Sequence, residues 1–190
     1  VLRRRQTLED AGLLEKVGVN VHPNPDAPAT AYTGVGFKGL GLLTNLPFDL
    51  AYRAAESFTK ALQKRTKAAG FMKTMLLQRI CSSFASGRAT AQRMLQKEAL
   101  EEEEQPQMLE EVMSALTDEE AGYLQAIVLE LSRPEARDPK INAINHFLTS
   151  LQSEGKTWLE HGCIIFSQYY DTVYSLGEEL SKSLTGEVVG

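Results

Sequence analysis

The chain has 190 residues, 43% hydrophobic and 24% charged, with a formal net charge of −5 at pH 7. That supplies core for one or two small globular domains, and no apolar run reaches the roughly 18 to 20 residues that span a bilayer. The two cysteines, Cys81 and Cys163, fall on unrelated elements, which excludes a disulfide framework and predicts reduced, buried thiols in a cytoplasmic protein.

Residues 1–22 hold the cluster Arg3, Arg4 and Arg5, a short helix around Leu8–Val17 and an alternating stretch, Val19 to His22, that suits a strand. Pro23–Leu50 is rich in Pro and Gly. Asn24-Pro25-Asp26 predicts a turn, Gly34, Gly36, Gly39 and Gly41 oppose helix, and Gly34 to Gly39 is read as a flexible loop. Gly34 to Gly39 lacks the spacing and the preceding strand of a dinucleotide fingerprint.

Helical periodicity begins at Asp49, with Ala51, Ala54, Phe58 and Leu62 on one face and Gly70 separating this helix from the next. Met72, Leu76, Ile80 and Phe84 then recur every four residues. The small residues Ser82, Ser83, Ala85, Ser86 and Gly87 permit close backbone approach, and Arg79, beside this apolar face, is expected to be a buried ion-pair partner. Glu101–Glu104 and Pro106 read as an acidic linker. Thr117 and Glu120 form a capping box ahead of Ala121, Leu124, Ile127, Val128 and Leu131. Asp118-Glu119-Glu120-Ala121 imitates an acidic metal-binding box but lacks the apolar strand that precedes such a box. Arg133-Pro134 breaks the pattern. Asp138 caps the next helix with Pro139 in its first turn and Ile141, Ile144, Leu148 and Leu151 on one face.

The C-terminal region changes character. Cys163-Ile164-Ile165-Phe166 predicts a short strand buried on both faces, as in a parallel sheet. Ser167 and Gln168 stand at its end. Tyr169, Val173, Leu176, Leu180 and Leu184 predict an amphipathic helix, Gly186 its stop, and Val188-Val189 a second strand. The fold class is therefore mainly α with a partial α/β unit. Polar groups stand where open parallel sheets carry ligands. A start at Val1 and an end inside the expected second strand predict a segment of a longer protein.

Charge is uneven. Residues 1–98 hold 15 Lys/Arg against 7 Asp/Glu, and residues 99–190 hold 5 against 18. This suits either a basic nucleic-acid face beside an acidic half or ordinary solvated helix faces. Gly155-Lys156-Thr157 lacks the glycine of a phosphate-binding loop, since Ser150 stands five residues before Gly155, and is read as a solvated turn. His161 and Cys163 supply two metal ligands where a structural zinc needs four, and no nucleophile motif is present, so no metal or catalytic residue is expected.

Four segments resemble, in order, the motifs of superfamily-two helicases, and most closely the Swi/Snf-type translocases. Leu2-Arg3-Arg4-Arg5-Gln6-Thr7 resembles the segment closing their first lobe, and Leu76 to Ser83 the helix between lobes. Asp138-Pro139-Lys140-Ile141 resembles a helix start before the fourth motif, and Cys163 to Thr172 resembles that motif itself, which opens the second RecA-like lobe. The resemblance implies residues 1–22 as the tail of the first lobe, 23–137 as loop and helical insertion, and 138–190 as the truncated start of the second lobe. It implies ATP and Mg for the intact parent and none for this segment alone. It also implies the missing remainder of both lobes and nucleic acid, DNA foremost, as partners. Candidate nucleic-acid contacts are Ser167, Gln168, Thr172, Arg3, Arg4 and Arg5. Ser167 and Thr172 suit equally a helix cap and a first helical turn. Tyr169 and Tyr170 could stack on bases or pack in the core. The alternative reading is a non-enzymatic helical adaptor.

Overall fold

A computed structural model describes residues 10–12, 37–38, 41–98 and 106–184. The readings on Arg3–Arg5, on the strand at Val19–His22, on the Asn24–Asp26 turn, on Glu101–Glu104 and on Gly186 to Val189 lie outside these residues, as does nearly all of the Leu8–Val17 helix. The chain divides into two units, 1–41 and 42–190. Two short strands, β1 (Phe37–Lys38) and β2 (Gly41–Leu42), pair with each other, and β1 lies within the stretch whose sequence reads as loop.

The larger unit is mainly helical. Helix α1 (Leu46–Leu62) starts three residues before the apolar periodicity does. Asn45 Oδ1 accepts the Phe48 N–H at 3.1 Å, and Pro47 presets the first turn. Its inner face buries Ala51, Ala55, Phe58 and Leu62.

The run from Met72 to Phe84 is two helices, α2 (Ala69–Ser82) and α3 (Phe84–Gln96), with Ser83 alone between them. Ser83 is extended (φ −162°, ψ 161°), and its hydroxyl accepts the Ser86 N–H at 3.0 Å, so one residue ends one helix and caps the next. Gly87 makes this corner possible: a Cβ there would stand 2.9 Å from Ile80 Cα and 3.0 Å from Leu131 Cδ1.

Helix α4 (Pro106–Ser114) buries Leu109, Val112 and Met113, in a region whose sequence reads as linker and break. Helix α5 (Asp118–Leu131) has the expected capping box. Thr117 Oγ1 accepts the Glu120 N–H at 3.2 Å, and Glu120 Oε2 accepts the Thr117 N–H at 3.0 Å. Its Leu124, Ile127 and Leu131 complete a core with α1 to α4. At about 1.5–3 kcal/mol for each large apolar side chain buried, this is the dominant stabilising term of the unit.

A second, smaller layer comes next in the chain. Helix α6 (Pro139–Ser150) is capped as predicted, with Asp138 Oδ1 accepting the Lys140 N–H at 2.9 Å. Strands β3 (Gln152–Ser153) and β4 (Lys156–Thr157) form an antiparallel hairpin, then come α7 (Trp158–His161) and α8 (Tyr170–Ser183). Leu148, Leu176 and Leu180 are buried here, with Ile141, Ile144, Trp158, Ile165 and Leu184 packed around them. None of the described residues belongs to both cores.

Two expectations are corrected. Residues 163–166 are neither strand nor buried: Ile164 is 80% and Phe166 87% exposed, and only Ile165 packs into the second core. A doubly buried strand needs hydrogen-bonded neighbours on both edges and a layer on each face, and the described residues supply neither, so the RecA-like part of the expected fold is not found among them. Both thiols are exposed and free, Cys81 on the outer face of α2 and Cys163 in the open segment. Neighbouring apolar letters in sequence did not translate into burial, because neither cysteine points toward a core.

Candidate nucleic-acid interface

Three segments that the sequence singled out come together where α8 begins. Thr172 Oγ1, in the first turn of α8, lies 2.9 Å from Ser82 Oγ and 2.8 Å from Ser83 Oγ, so one hydroxyl bridges the α2–α3 corner. Asp171 beside it accepts two hydrogen bonds from Arg93 of α3, from Nη1 to Oδ2 at 2.8 Å and from Nη2 to Oδ1 at 3.0 Å. Arg79, almost fully buried, places its guanidinium 4.6 Å from the centre of the Tyr169 ring. On the same corner, Asp138 Oδ2 accepts the Phe84 N–H at 2.8 Å. Burial pushes the Asp138 carboxyl above its usual range, although the N–H groups of Phe84, Lys140 and Ile141 and the Lys140 charge all act against that.

The candidate contacts separate accordingly. Ser167 is half-buried and accepts the Tyr169 N–H at 3.3 Å, a long bond that orients the entry to α8. Gln168 is exposed. Thr172 has its hydroxyl engaged within the protein. Tyr169 is buried, whereas Tyr170 and Tyr174 are exposed on the outer face of α8 with ring centres 6.2 Å apart. That face continues past Gly177 and Ser181 as an open groove of 560 Å³.

Among the described residues, some of the first half's cations face acids of the second: Lys64 pairs with Glu119, Arg65 with Glu120 and Arg93 with Asp171. Arg88 and Arg137 are exposed and line a 410 Å³ cleft that also contains Asp138, Glu178 and Glu179.

Gly155 completes the two-residue turn of the β3–β4 hairpin, and Lys156 and Thr157 form β4. Glu154 (φ 53°) and Gly155 (φ 78°) both take left-handed backbone, as a two-residue hairpin loop requires. Thr157 Oγ1 is spent on the Glu160 N–H at 3.3 Å. No strand-loop-helix cradle for nucleotide phosphates exists there, and these residues do not fit ATP. His161 Nε2 lies 2.9 Å from the Ser153 carbonyl oxygen, which ties α7 to the hairpin. No group of three His, Cys, Asp or Glu side chains is placed to hold a metal among the described residues.

Sequence reasoning missed Arg93, Asp171 and the paired hydroxyls. Asp171-Thr172 was legible as the first turn of a helix. Its partners, 78 to 90 residues earlier, were not.

No protein-family model matches the chain, and neither curated proteins nor solved structures include a significant match.

Proposed function

We propose that the chain is part of an ATP-dependent nucleic-acid translocase or helicase of the Swi/Snf-like class. In that reading it contributes nucleic-acid contacts and coupling between lobes, and does not hydrolyse ATP by itself. The supporting observation is convergence. Leu76–Ser83, Asp138–Ile141 and Cys163–Thr172, which resemble that family's motifs, are far apart in sequence yet meet at one polar corner through Ser82, Ser83, Phe84, Asp138 and Thr172. Ser167, half-buried, and Gln168, exposed, stand just ahead of α8, where phosphate oxygens could be met without reading sequence. ATP and Mg belong to the intact two-lobed protein, and DNA is its expected track.

One observation favours a second reading, a non-enzymatic helical adaptor: Ile164, Phe166, Tyr170 and Tyr174 expose apolar surface close together in the chain.

The two readings separate in a salt series with labelled double- and single-stranded DNA. The translocase reading expects binding that weakens steeply with salt and falls in Ser167→Ala/Gln168→Ala and when Arg3–Arg5 are replaced by alanine. Binding that ignores all these substitutions, or none at low salt in a two-lobed parent protein, would sink it.

A further inference from the structure

We infer that Asp171 and Thr172 form a latch that fixes how the open segment 162–168 is carried on the helical bundle, and that this latch can release while both apolar cores stay intact. The inference starts from the division of labour along α8. Its later turns contribute Leu176 and Leu180 to the second core, whereas its first turn reaches the bundle through polar groups. Apolar burial has no substitute in water. A hydrogen bond does, because water takes the place of either partner, so such a junction opens far more readily than a core. The Arg93–Asp171 pair is suited to this: the side chains are 36% and 18% exposed, so the bidentate geometry gives direction while solvent keeps access.

The segment held by the latch has little support of its own. Among the described residues, 163–168 make no backbone–backbone hydrogen bond, and only Ile165 is anchored in a core. Its course is therefore set by the entry to α8: Tyr169 under Arg79, Asp171 on Arg93 and Thr172 on the two serines. Thr172 adds a second consequence. Its partner Ser83 is the single residue between α2 and α3, so a displacement of segment 162–168 reaches the angle between those helices directly. If Ser167 and Gln168 meet nucleic acid, a step that rests on the reading proposed above, this corner is where the load enters the bundle.

Hydrogen exchange of the 190-residue protein, read by mass spectrometry, tests the latch. Arg93→Ala and Thr172→Val should each speed exchange in peptides covering 169–176 by about tenfold, leaving α1 and α5 at the wild-type rate. The exchanged pair Arg93→Asp/Asp171→Arg should restore much of the protection lost in Arg93→Ala. The latch is wrong if 169–176 exchange as in wild type in both variants, if α1 and α5 accelerate equally, or if the exchanged pair protects no better than Arg93→Ala. DNA binding is read separately on the same samples. Loss of protection at 169–176 in a protein that never binds DNA keeps the latch, and the nucleic-acid reading is then decided in the two-lobed parent. Unaltered protection in one that does bind DNA removes the latch and keeps that reading.

Discussion

Arg65 holds the buried carboxylate of Glu120 by two parallel hydrogen bonds, Nε to Oε1 and Nη2 to Oε2, both 2.8 Å long. Glu120 is 1% exposed, and its Oε2 also accepts the Thr117 N–H, while Arg65 Nη2 reaches the Val112 carbonyl at 3.3 Å. One ion pair thus joins the end of α1 to α4 and to the start of α5. Removing one partner of such a pair leaves a buried charge uncompensated, so Arg65→Met should cost about 3 kcal/mol. Urea titration gives the value, and a loss below about 1 kcal/mol would mean that water replaces the guanidinium.

The same pair sets a pH dependence. Burial alone would raise the Glu120 carboxyl, but the Arg65 hydrogen bonds, the Thr117 N–H and the Arg65 charge outweigh it and hold it below the ordinary range. A depressed carboxyl contributes stability above its unfolded pKa of about 4.3 and loses it as the pH falls through the folded value. The gap in urea midpoint between wild type and Glu120→Gln should therefore be widest at neutral pH and shrink in acid. A gap that stays constant down to pH about 3 would contradict the assignment. Asp138 works with the opposite sign: its raised carboxyl favours the folded state in acid and less so as the pH rises through its folded pKa.

Asp138 caps α6 and also accepts the Phe84 N–H at 2.8 Å, so it serves two helix starts at once. Asp138→Ala removes a cap, worth about 1 kcal/mol, and leaves a part-buried N–H unpaired, worth about 1–3 kcal/mol. Relief of the buried charge offsets part of this, and the expected net loss is about 2 kcal/mol. Loss of the fold of α6 alone, without an effect on α3, would show in amide shifts and contradict the double role.

Gly87→Ala should destabilise although alanine is the better helix former by about 1 kcal/mol. Its Cβ would meet Ile80 Cα at 2.9 Å, and a backbone atom in a packed helix does not yield as a side-chain tip does. Overpacking of this kind costs about 1–3 kcal/mol. A melting temperature equal to or above wild type would show that α2 and α3 are farther apart.

Phe166→Asp should leave stability within about 0.5 kcal/mol of wild type, since the ring is 87% exposed. If residues 163–166 were the doubly buried strand the sequence suggests, the same change would bury a charge and unfold the second layer. Calorimetry of this variant distinguishes the two.

Capping signals were reliable, whereas Gly70, read as a break between helices, lies in the first turn of α2. Thr117 with Glu120 and Asp138 with Pro139 mark helix starts through bonds made within three residues, and the apolar faces of α1 and α5 come from a repeat that needs no knowledge of the fold. Signals that depend on distant partners were not legible. Four apolar letters at 163–166 look the same whether or not a sheet surrounds them. Leu109, Val112 and Met113 stand beside an acidic run, which hid a helix that the core recruits. The charge imbalance between the halves had two readings, a binding face or solvated helices, and the ion pairs Lys64–Glu119, Arg65–Glu120 and Arg93–Asp171 add a third use for it. At the candidate site, Ser167 and Gln168 were found by position, whereas the engagement of Thr172 by Ser82 and Ser83 could be seen only in three dimensions.

The pairing of α1 with α5 also bears on how the chain is made. Arg65 and Glu120 are 55 residues apart, so α1 leaves the ribosome well before the helix that covers its apolar face exists. At about 5–20 residues per second, that interval lasts roughly 3–10 s. During it Phe58 and Leu62 lack the helix that packs most extensively on their face, and a nascent chain halted between α3 and α5 would be a ready client for chaperones and proteases.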